Sequence, residues 1–320
     1  MSFKPIIVVA GEPNSIFMEI FVKSIKKNNY KNPIILIASY NLVKLQLKKL
    51  NYKIQINLLN HENLNIRYLK NDRINLLNVS YSFKKPFEKI SSKSKKYISD
   101  CFELALRLIK SGFSDKFING PISKKHFLSK KYLGVTEFLA AKTKTKKSAM
   151  LIYNKELSVC PLTTHLPIKL VSKKINRKSI IEKVNLINDF YKKKFKFKPN
   201  IGVLGLNPHC ESIDKFKEDL VIIKPTIDNL KKKFNIRGPF PADTIFLKDN
   251  RKNFDVIIGM YHDQVLTPLK TIYEYNAINI TLGLPFLRIS PDHGPNEKMM
   301  GKKKSNPTSL IEAIKFLDKY

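Results

Sequence analysis

Three of the six histidines in this 320-residue sequence come just after short apolar runs, at His165, His209 and His262. Such runs predict buried strands of a parallel sheet, whose carboxyl ends lie along one edge. Three neutral imidazoles at that edge can bind a divalent ion of the zinc, cobalt, nickel or iron type and leave positions open for a substrate. A single histidine of this kind is more often structural, but the position shared by all three favours a catalytic metal site.

The stretch from Gly259 to Gly294 adds carboxylate, amide and cationic side chains to the third histidine. Asp263 follows this histidine directly, and both Asp263 and Asp243 are candidates to orient a metal-binding imidazole. Arg288 has the planar fork that grips a carboxylate or a phosphate, and Lys270 adds a mobile cation. In a chain with 52 lysines, a plainly solvated Lys270 is the competing interpretation.

The elements that must position these groups alternate along the chain. Residues 6–10 predict a strand, 15–27 a helix, 33–38 a second strand and 41–50 a second helix. This rhythm is typical of a parallel sheet covered by helices, so the fold class predicted is α/β. The length is that of about two domains of ordinary size.

Later segments carry the chemistry-bearing residues. Apolar runs at 157–162, 201–206 and 256–260 predict the three strands that lead to the histidines. Residues 238–244, with two prolines, predict a rigid polar loop. Thr136 is expected to cap the start of a helix.

Composition excludes several classes of protein. Hydrophobic residues make up 43% of the chain, which is too many for a disordered protein, and no apolar run is long enough for a transmembrane helix. The three cysteines are unevenly spaced and form no CxxC motif. They predict reduced thiols in a cytoplasmic protein.

The formal charge of +33 allows two interpretations. A nucleic-acid-binding protein would carry such a charge, and a steep salt dependence of oligonucleotide binding would reveal it. However, only seven of the 59 basic residues are arginine, and the lysine runs are scattered. Lysine, asparagine and isoleucine share AT-rich codons, so compositional drift is the favoured interpretation. The positive field would still attract anionic small molecules.

Several motifs together resemble one known family, the 4-hydroxythreonine-4-phosphate dehydrogenases of pyridoxal phosphate synthesis. The motifs are TTHLP at 163–167, GLNPH at 205–209, GPFPADT at 238–244, MYHDQ at 260–264 and NITLGLPFLRISPDHG at 279–294. The resemblance covers nearly the whole chain. It implies two α/β/α domains with a cleft between them, as in isocitrate and isopropylmalate dehydrogenases.

The resemblance also implies a domain organisation and a set of partners. The first domain would comprise residues 1–128 and 270–320 and carry the cofactor loop. The second would comprise 129–269 and carry the metal histidines and the contacts of a homodimer. The active site would lie in the interdomain cleft and use both subunits.

The chemistry implied is a metal-dependent oxidation and decarboxylation of a phosphorylated hydroxy acid, 4-phosphohydroxy-L-threonine, with NAD as hydride acceptor. No nucleic acid or membrane partner is expected. The implied roles are as follows: His165, His209 and His262 bind Zn, Mg or Co; Thr136, Lys270, Asn279 and Arg288 bind substrate; Lys270, Asp243 and Asp263 assist catalysis; His293, Gly294 and Asn306, within a 293–307 loop, bind the cofactor. The lysines at 302–304 leave NADP open as an alternative cofactor.

Three departures from the family pattern concern substrate and cofactor contacts. Val135 stands where the family has a histidine that contacts the substrate. The turn at 14–18 lacks two of the family's glycines, and Pro295-Asn296 replaces Thr-Ala. A relative that acts on 4-phosphothreonate or a similar acid, or one that binds ligand without turnover, therefore stays an alternative.

Overall fold

The computed structural model describes residues 4–26, 29–128, 132, 134–211, 217–291 and 293–320. Twelve strands lie within these ranges: β1 Ile6–Val9, β2 Ile34–Ala38, β3 Ile56–Leu59, β4 Ile74–Asn78, β5 Lys116–Asn119, β6 Ala149–Tyr153, β7 Ser158–Pro161, β8 Ile201–Leu204, β9 Ile236–Phe240, β10 Val256–Gly259, β11 Ile278–Leu282 and β12 Leu287–Pro291. The α-helices there are α1 Phe17–Lys26, α2 Tyr40–Lys49, α3 Lys95–Lys110, α4 Val135–Lys142, α5 Arg177–Phe195, α6 Lys224–Leu230, α7 Ala242–Ile245, α8 Lys248–Arg251, α9 His262–Tyr273 and α10 Thr308–Lys319.

The chain forms two compact units, one of residues 1–138 with 285–320 and one of residues 139–284. The expected domain boundaries, after residues 128 and 269, lie earlier in the chain than these limits. The assignment of dimer contacts to the second domain stays a prediction.

The first unit is a parallel sheet with helices on its faces. Its strand order is β3-β4-β2-β1-β5-β12, and every neighbouring pair is parallel. Helix α3 packs on β1 and β2, whereas α10 packs on β12, β1 and β5 and also meets α1. All four residues of β1 are buried, as expected for a central strand covered by helices on both sides.

The second unit has a mixed sheet in the order β11-β6-β7-β10-β8-β9. β6 pairs antiparallel with both β11 and β7, so β6 and β7 form a hairpin. β7, β10, β8 and β9 are parallel neighbours. Helix α9 packs on β7 and β10, and α5 packs on β6 and β11.

Local sequence explains the limits of several elements. α5 begins after Asn176, whose side chain accepts a hydrogen bond from the amide of Ser179 at 2.9 Å. The helix ends before Lys196, which has a left-handed conformation. α4 begins at Val135, so Thr136 lies in its first turn and the expectation that it caps the helix is wrong.

The prediction of a rigid polar loop at 238–244 is also wrong for the first residues of that range. Gly238 and Pro239 belong to β9, which is the outer strand of its sheet. An edge strand tolerates a proline because its missing amide is not needed on the open side. In the part of the chain that the structure describes, no helix is both long and apolar enough to cross a membrane.

Candidate active site

The three histidines lie beyond the carboxyl ends of three adjacent strands of the second unit. β10, which precedes His262, pairs with β7 on one side and with β8 on the other. β7 leads to His165 and β8 to His209. The sequence prediction that these strand ends share one edge of a parallel sheet is therefore confirmed.

Two of the imidazoles are in contact. The ring centroids of His165 and His262 are 5.7 Å apart. Nδ1 of His262 is 2.7 Å from a carboxylate oxygen of Asp263, an arrangement that leaves Nε2 available as a ligand atom. Asp263 thus has the position expected of a carboxylate that orients a metal-binding histidine.

The third histidine sits on a strained loop held by a buried carboxylate. His209 and Cys210 both have positive φ angles, 54° and 61°, in the region that non-glycine residues rarely adopt. Asp219, 1% exposed, accepts hydrogen bonds from the amides of Leu206 at 2.7 Å and Asn207 at 3.0 Å. It also accepts one from the Asn207 side chain at 2.8 Å. These three bonds fix the base of the loop that carries His209.

Two polar side chains join the histidine-bearing loops to one another. The Thr163 hydroxyl donates to the carbonyl of Met260 at 2.7 Å, which ties the His165 segment to the His262 turn. Gln264 accepts from the Met260 amide at 2.7 Å and donates to the Gly205 carbonyl at 2.8 Å. The same turn is therefore also tied to the loop that leads to His209.

The donor set suits a borderline metal, but the described part of one chain does not bring three ligands together. Within the described ranges no three His, Cys, Asp or Glu side chains converge in the geometry of a metal site. Imidazole nitrogens from His165 and His262 fit zinc or cobalt better than magnesium, which prefers oxygen. Burial raises the pKa of the Cys210 thiol beside His209, and the charges of Asp219 and Asp243 add to the shift.

Lys270 and Asn279 lie on other elements of the same unit. Lys270 is in the last turn of α9, and its half-buried position lowers the pKa of its ammonium group. Asn279 is in β11, and its side-chain oxygen is buried with no hydrogen-bond partner among the described residues. A buried acceptor of this kind is satisfied when a ligand donates to it.

The first unit holds a buried arginine. Arg288, in β12, is 2% exposed; its Nε donates to Asn119 Oδ1 at 2.8 Å and its Nη1 to the Thr136 hydroxyl at 3.4 Å. Burial lowers its pKa to about 10, an effect opposed by Glu137, so the guanidinium stays cationic at neutral pH. The structure thus brings together Arg288 and Thr136, two of the four residues expected to bind substrate, around an asparagine at the end of β5.

Two strand-end turns beside this group touch each other. Gly11 has a φ of 76°, and a Cβ on Gly11 or Gly120 would overlap backbone atoms of the other turn. The Glu12 amide donates to the Pro121 carbonyl at 2.7 Å. Glycine is therefore required at both turns because their backbones approach so closely.

Glu12 is a buried carboxyl within this junction, 1% exposed. It accepts hydrogen bonds from the Ser94 hydroxyl at 3.0 Å and the Asn14 amide at 3.3 Å. Burial raises its pKa to about 7; these two bonds oppose the shift, and the charge of Glu297 adds to it. The amide of Ile16, on the same turn, donates to the Pro295 carbonyl at 3.1 Å.

The expected cofactor residues occupy the segment that follows β12. His293 is largely buried, its Nε2 has no hydrogen-bond partner in the described part of the chain, and burial lowers its pKa. Gly294 is exposed, and a Cβ there would meet no atom within 4 Å. Asn306 accepts from the Thr308 amide at 2.9 Å at the start of α10. The Nε2 atom of His293, which has no partner among the residues described and lies next to an exposed glycine, is suited to bind a ligand. The Asn306 side chain, in contrast, already accepts a hydrogen bond at the start of α10.

Four polar residues that support the candidate site residues were not predicted from the sequence. Asn119, Glu137 and Asp219 contact or influence candidate site residues, and Gln264 links two of their loops. Asn119 lies at the end of an apolar strand, which is the same signal that identified the histidines. The sequence could therefore have indicated Asn119 as a site residue. Nothing in the sequence marks Asp219, which lies in a helical segment beyond the loop it fixes.

The two α/β units, with imidazoles at parallel strand ends in one and a buried arginine in the other, have a fold of the isocitrate-dehydrogenase-like type. The fold resembles the crystal structure of isocitrate dehydrogenase from Methylococcus capsulatus, with a TM-score of 0.51 at 10% identity over 97% of this chain and 84% of that one. The model of the pyridoxal phosphate biosynthetic protein PdxA family matches residues 29–317, and the chain belongs to this family.

Individual relatives agree with this assignment. A 4-hydroxythreonine-4-phosphate dehydrogenase from Sulfurihydrogenibium sp. is 36% identical over 312 residues, 96% of this chain and 95% of the relative. The crystal structure of the Klebsiella pneumoniae enzyme of that name has a TM-score of 0.84 at 27% identity and covers 98% of both chains. A D-threonate 4-phosphate dehydrogenase from Pectobacterium atrosepticum is 32% identical over 218 residues, 67% of each chain. The resemblance inferred from the motifs is confirmed.

Proposed function

We propose that this chain oxidises and decarboxylates 4-phosphohydroxy-L-threonine to 3-amino-2-oxopropyl phosphate in vitamin B6 synthesis. NAD would accept the hydride, and a divalent metal and a homodimer would be required. The observation that carries the proposal is the family match over residues 29–317, within which all the proposed metal, substrate and cofactor side chains lie. The three free cysteines support a reducing, cytoplasmic location.

His165, His209 and His262 are the proposed metal ligands. When bound, a divalent ion supplies Lewis acidity that lowers the pKa of the substrate hydroxyl, while a bound nicotinamide takes up the hydride. The contact between the His165 and His262 rings supports a shared ion. Because the described part of one chain does not bring three such ligands together, a second copy would complete the site in the homodimer.

The substrate anion is assigned to Arg288 with Thr136. A buried guanidinium is stabilised when it pairs with a phosphate or carboxylate. Arg288 donates to the Asn119 side chain and to the Thr136 hydroxyl, which hold its fork in a fixed orientation. The unsatisfied oxygen of Asn279 is available for a hydroxyl or ammonium group of the same substrate. These contacts account for recognition of a small, highly polar molecule.

Lys270 is the proposed proton donor. Oxidation of the hydroxyl-bearing carbon yields a 3-oxo acid, which loses carbon dioxide and must then gain a proton on carbon. Burial lowers the pKa of Lys270, so its ammonium group gives up a proton more readily than a solvated lysine does. Asp263, through its contact with His262, and Asp243, whose charge influences Cys210 next to His209, would hold the imidazoles in orientation.

NAD is proposed as the cofactor because the 293–307 loop resembles the NAD adenosine loop of the family. The exposed lysines at 302–304 offer charge to either NAD or NADP. Titration of the protein with NADH and with NADPH tests this choice, and tighter binding of NADPH would reverse it.

The activity is tested by measuring NADH formation and carbon dioxide release by the metal-loaded protein. The substrates are 4-phosphohydroxy-L-threonine, 4-phospho-D-threonate and unphosphorylated 4-hydroxythreonine. We expect turnover of the first, and a large loss in Arg288→Gln. Arg251→Gln is the matched control, since Arg251 contacts a backbone carbonyl away from these residues.

The second candidate is dehydrogenation of a phosphorylated threonate, supported by Val135 and by the relative from Pectobacterium atrosepticum. Faster turnover of 4-phospho-D-threonate would establish that alternative. Tight binding of either phosphorylated compound with no NADH formed in the presence of zinc, cobalt or magnesium would show a binding protein without turnover.

A further inference from the structure

The loop of lysines that precedes α10 is fastened to the first helix by an ion pair. Nζ of Lys23 donates to three acceptors: Glu19 Oε1 at 2.7 Å, the Lys303 carbonyl at 2.9 Å and the Ser305 carbonyl at 2.8 Å. The Ser305 amide donates to the same oxygen of Glu19 at 2.7 Å. Two side chains one helical turn apart on α1 therefore hold three backbone groups of residues 303–305.

This clamp, defined as Glu19 and Lys23, is largely shielded from water. The Glu19 side chain is 1% exposed and that of Lys23 is 21% exposed. In such surroundings charge-assisted hydrogen bonds are strong, and loss of one partner leaves the other with an unpaired charge. These hydrogen bonds therefore stabilise the backbone conformation of residues 303–305 more than is usual for a surface loop.

The clamp determines which way the loop faces. Because the carbonyls of Lys303 and Ser305 and the amide of Ser305 point at α1, the side chains of residues 302–304 remain exposed. Lys303 has a left-handed φ of 59°, a conformation that a non-glycine residue keeps only under constraint. Glu19 Oε2 and Ser305 Oγ are buried with no hydrogen-bond partner among the residues described. These two oxygen atoms beside the loop could therefore each form one more hydrogen bond.

We propose that Glu19 and Lys23 are positioning residues for the dinucleotide cofactor. They hold residues 303–305 in the one backbone conformation that presents the lysines at 302–304 to the anionic part of the cofactor. This inference rests on the proposed function, which places the cofactor on the 293–307 loop. It adds two residues of α1, remote in sequence from that loop, as determinants of cofactor affinity.

The test measures NADH affinity by calorimetry and amide hydrogen exchange at Ser305. The variants are Glu19→Gln, Lys23→Met and Lys23→Arg, the last of which keeps a charged donor. The matched control is Lys96→Met with Asp100→Asn, which removes another (i, i+4) pair, at 2.8 Å on α3. Lys304→Met in the otherwise native chain reports whether the loop binds the cofactor at all.

We expect Lys23→Met to weaken NADH binding by on the order of tenfold, the effect of about one charge-assisted hydrogen bond. Exchange at the Ser305 amide should accelerate in Glu19→Gln and Lys23→Met. KM for NAD should rise while KM for the phosphorylated substrate stays unchanged. Lys23→Arg should recover most of the affinity, and the α3 control should match the native protein.

A double exchange, Glu19→Lys with Lys23→Glu, separates loop positioning from helix stability. It restores an ion pair on α1 but turns a carboxylate toward two carbonyl oxygens, so NADH affinity should fall as in Lys23→Met. Native affinity in the exchanged protein, or in both single variants while Lys304→Met binds weakly, would overturn this inference alone. No effect of Lys304→Met, or no NADH binding by the native chain, would overturn the proposed cofactor loop as well.

Discussion

Glu12 should make the stability of this protein fall between mildly acidic and mildly basic pH. Its pKa is raised from 4.5 to about 7 in the folded chain, chiefly by burial. Between those values the unfolded chain has released this proton and the folded chain still holds it. The unfolded state then binds fewer protons, so the free energy of unfolding decreases as the pH rises.

The size of the effect follows from the shift. A displacement of roughly 2.5 pH units corresponds to about 3 kcal/mol in total, most of which is lost between about pH 5 and about pH 8. Glu12→Gln has nearly the same shape, keeps an oxygen for the Asn14 amide and offers an amide to Ser94, and cannot ionise. The variant should match the native protein at low pH and exceed its stability by about 3 kcal/mol near pH 8.

Denaturant titrations at several pH values, followed by far-UV circular dichroism because the chain has no tryptophan, measure this difference. Glu62→Gln serves as the control, since Glu62 is fully exposed in a loop. If the native protein and Glu12→Gln lose stability in parallel as the pH rises, burial of the Glu12 carboxyl is not the cause and the reasoning fails.

Three further outcomes are expected. Alanine at His165, His209 or His262 should each cause a large loss of bound metal in elemental analysis, and near-stoichiometric metal in all three variants would contradict their assignment as ligands. Val135→His should raise kcat/KM on 4-phosphohydroxy-L-threonine by roughly ten- to a hundredfold, the effect of one charge-assisted hydrogen bond; a folded, metal-loaded variant with no gain would count against an ordinary member of the family. Asp219→Asn should cost about 2 kcal/mol of stability because an amide group then faces amide donors, and unchanged denaturation would show that the three bonds to the His209 loop contribute little.

Apolar periodicity was sufficient to predict the α/β class and several central strands. The strands expected at 6–10 and 33–38 are β1 and β2, and the three histidine-bearing strands begin within one residue of their expected positions. Central strands are buried on both faces, so their sequences are continuously apolar and easily recognised. The meeting of their loops at one edge then follows from parallel pairing.

Edge strands and polar supports escaped prediction for physical reasons. β9 contains Gly238 and Pro239, which signal a turn unless the strand lies at the edge of its sheet, and strand order cannot be derived from local sequence. Asn119 and Asp219 act through partners 169 and 12–13 positions away in the chain. Such pairings depend on the tertiary fold, so only the structure reveals them.

The position of β10 between β7 and β8 bears on how the protein is synthesised. β10 follows both neighbours in the chain, and 51 residues separate Leu204 from Val256. At the usual rate of translation, about 5–20 residues per second, β8 waits about 3 to 10 seconds with one open edge before β10 emerges. β7, which is separated from Val256 by 94 residues, waits about 5 to 20 seconds. During this interval the nascent chain exposes strand edges that invite wrong pairing. His262, which β10 delivers, appears last of the three histidines, so capture of a metal ion would have to follow this stage of synthesis.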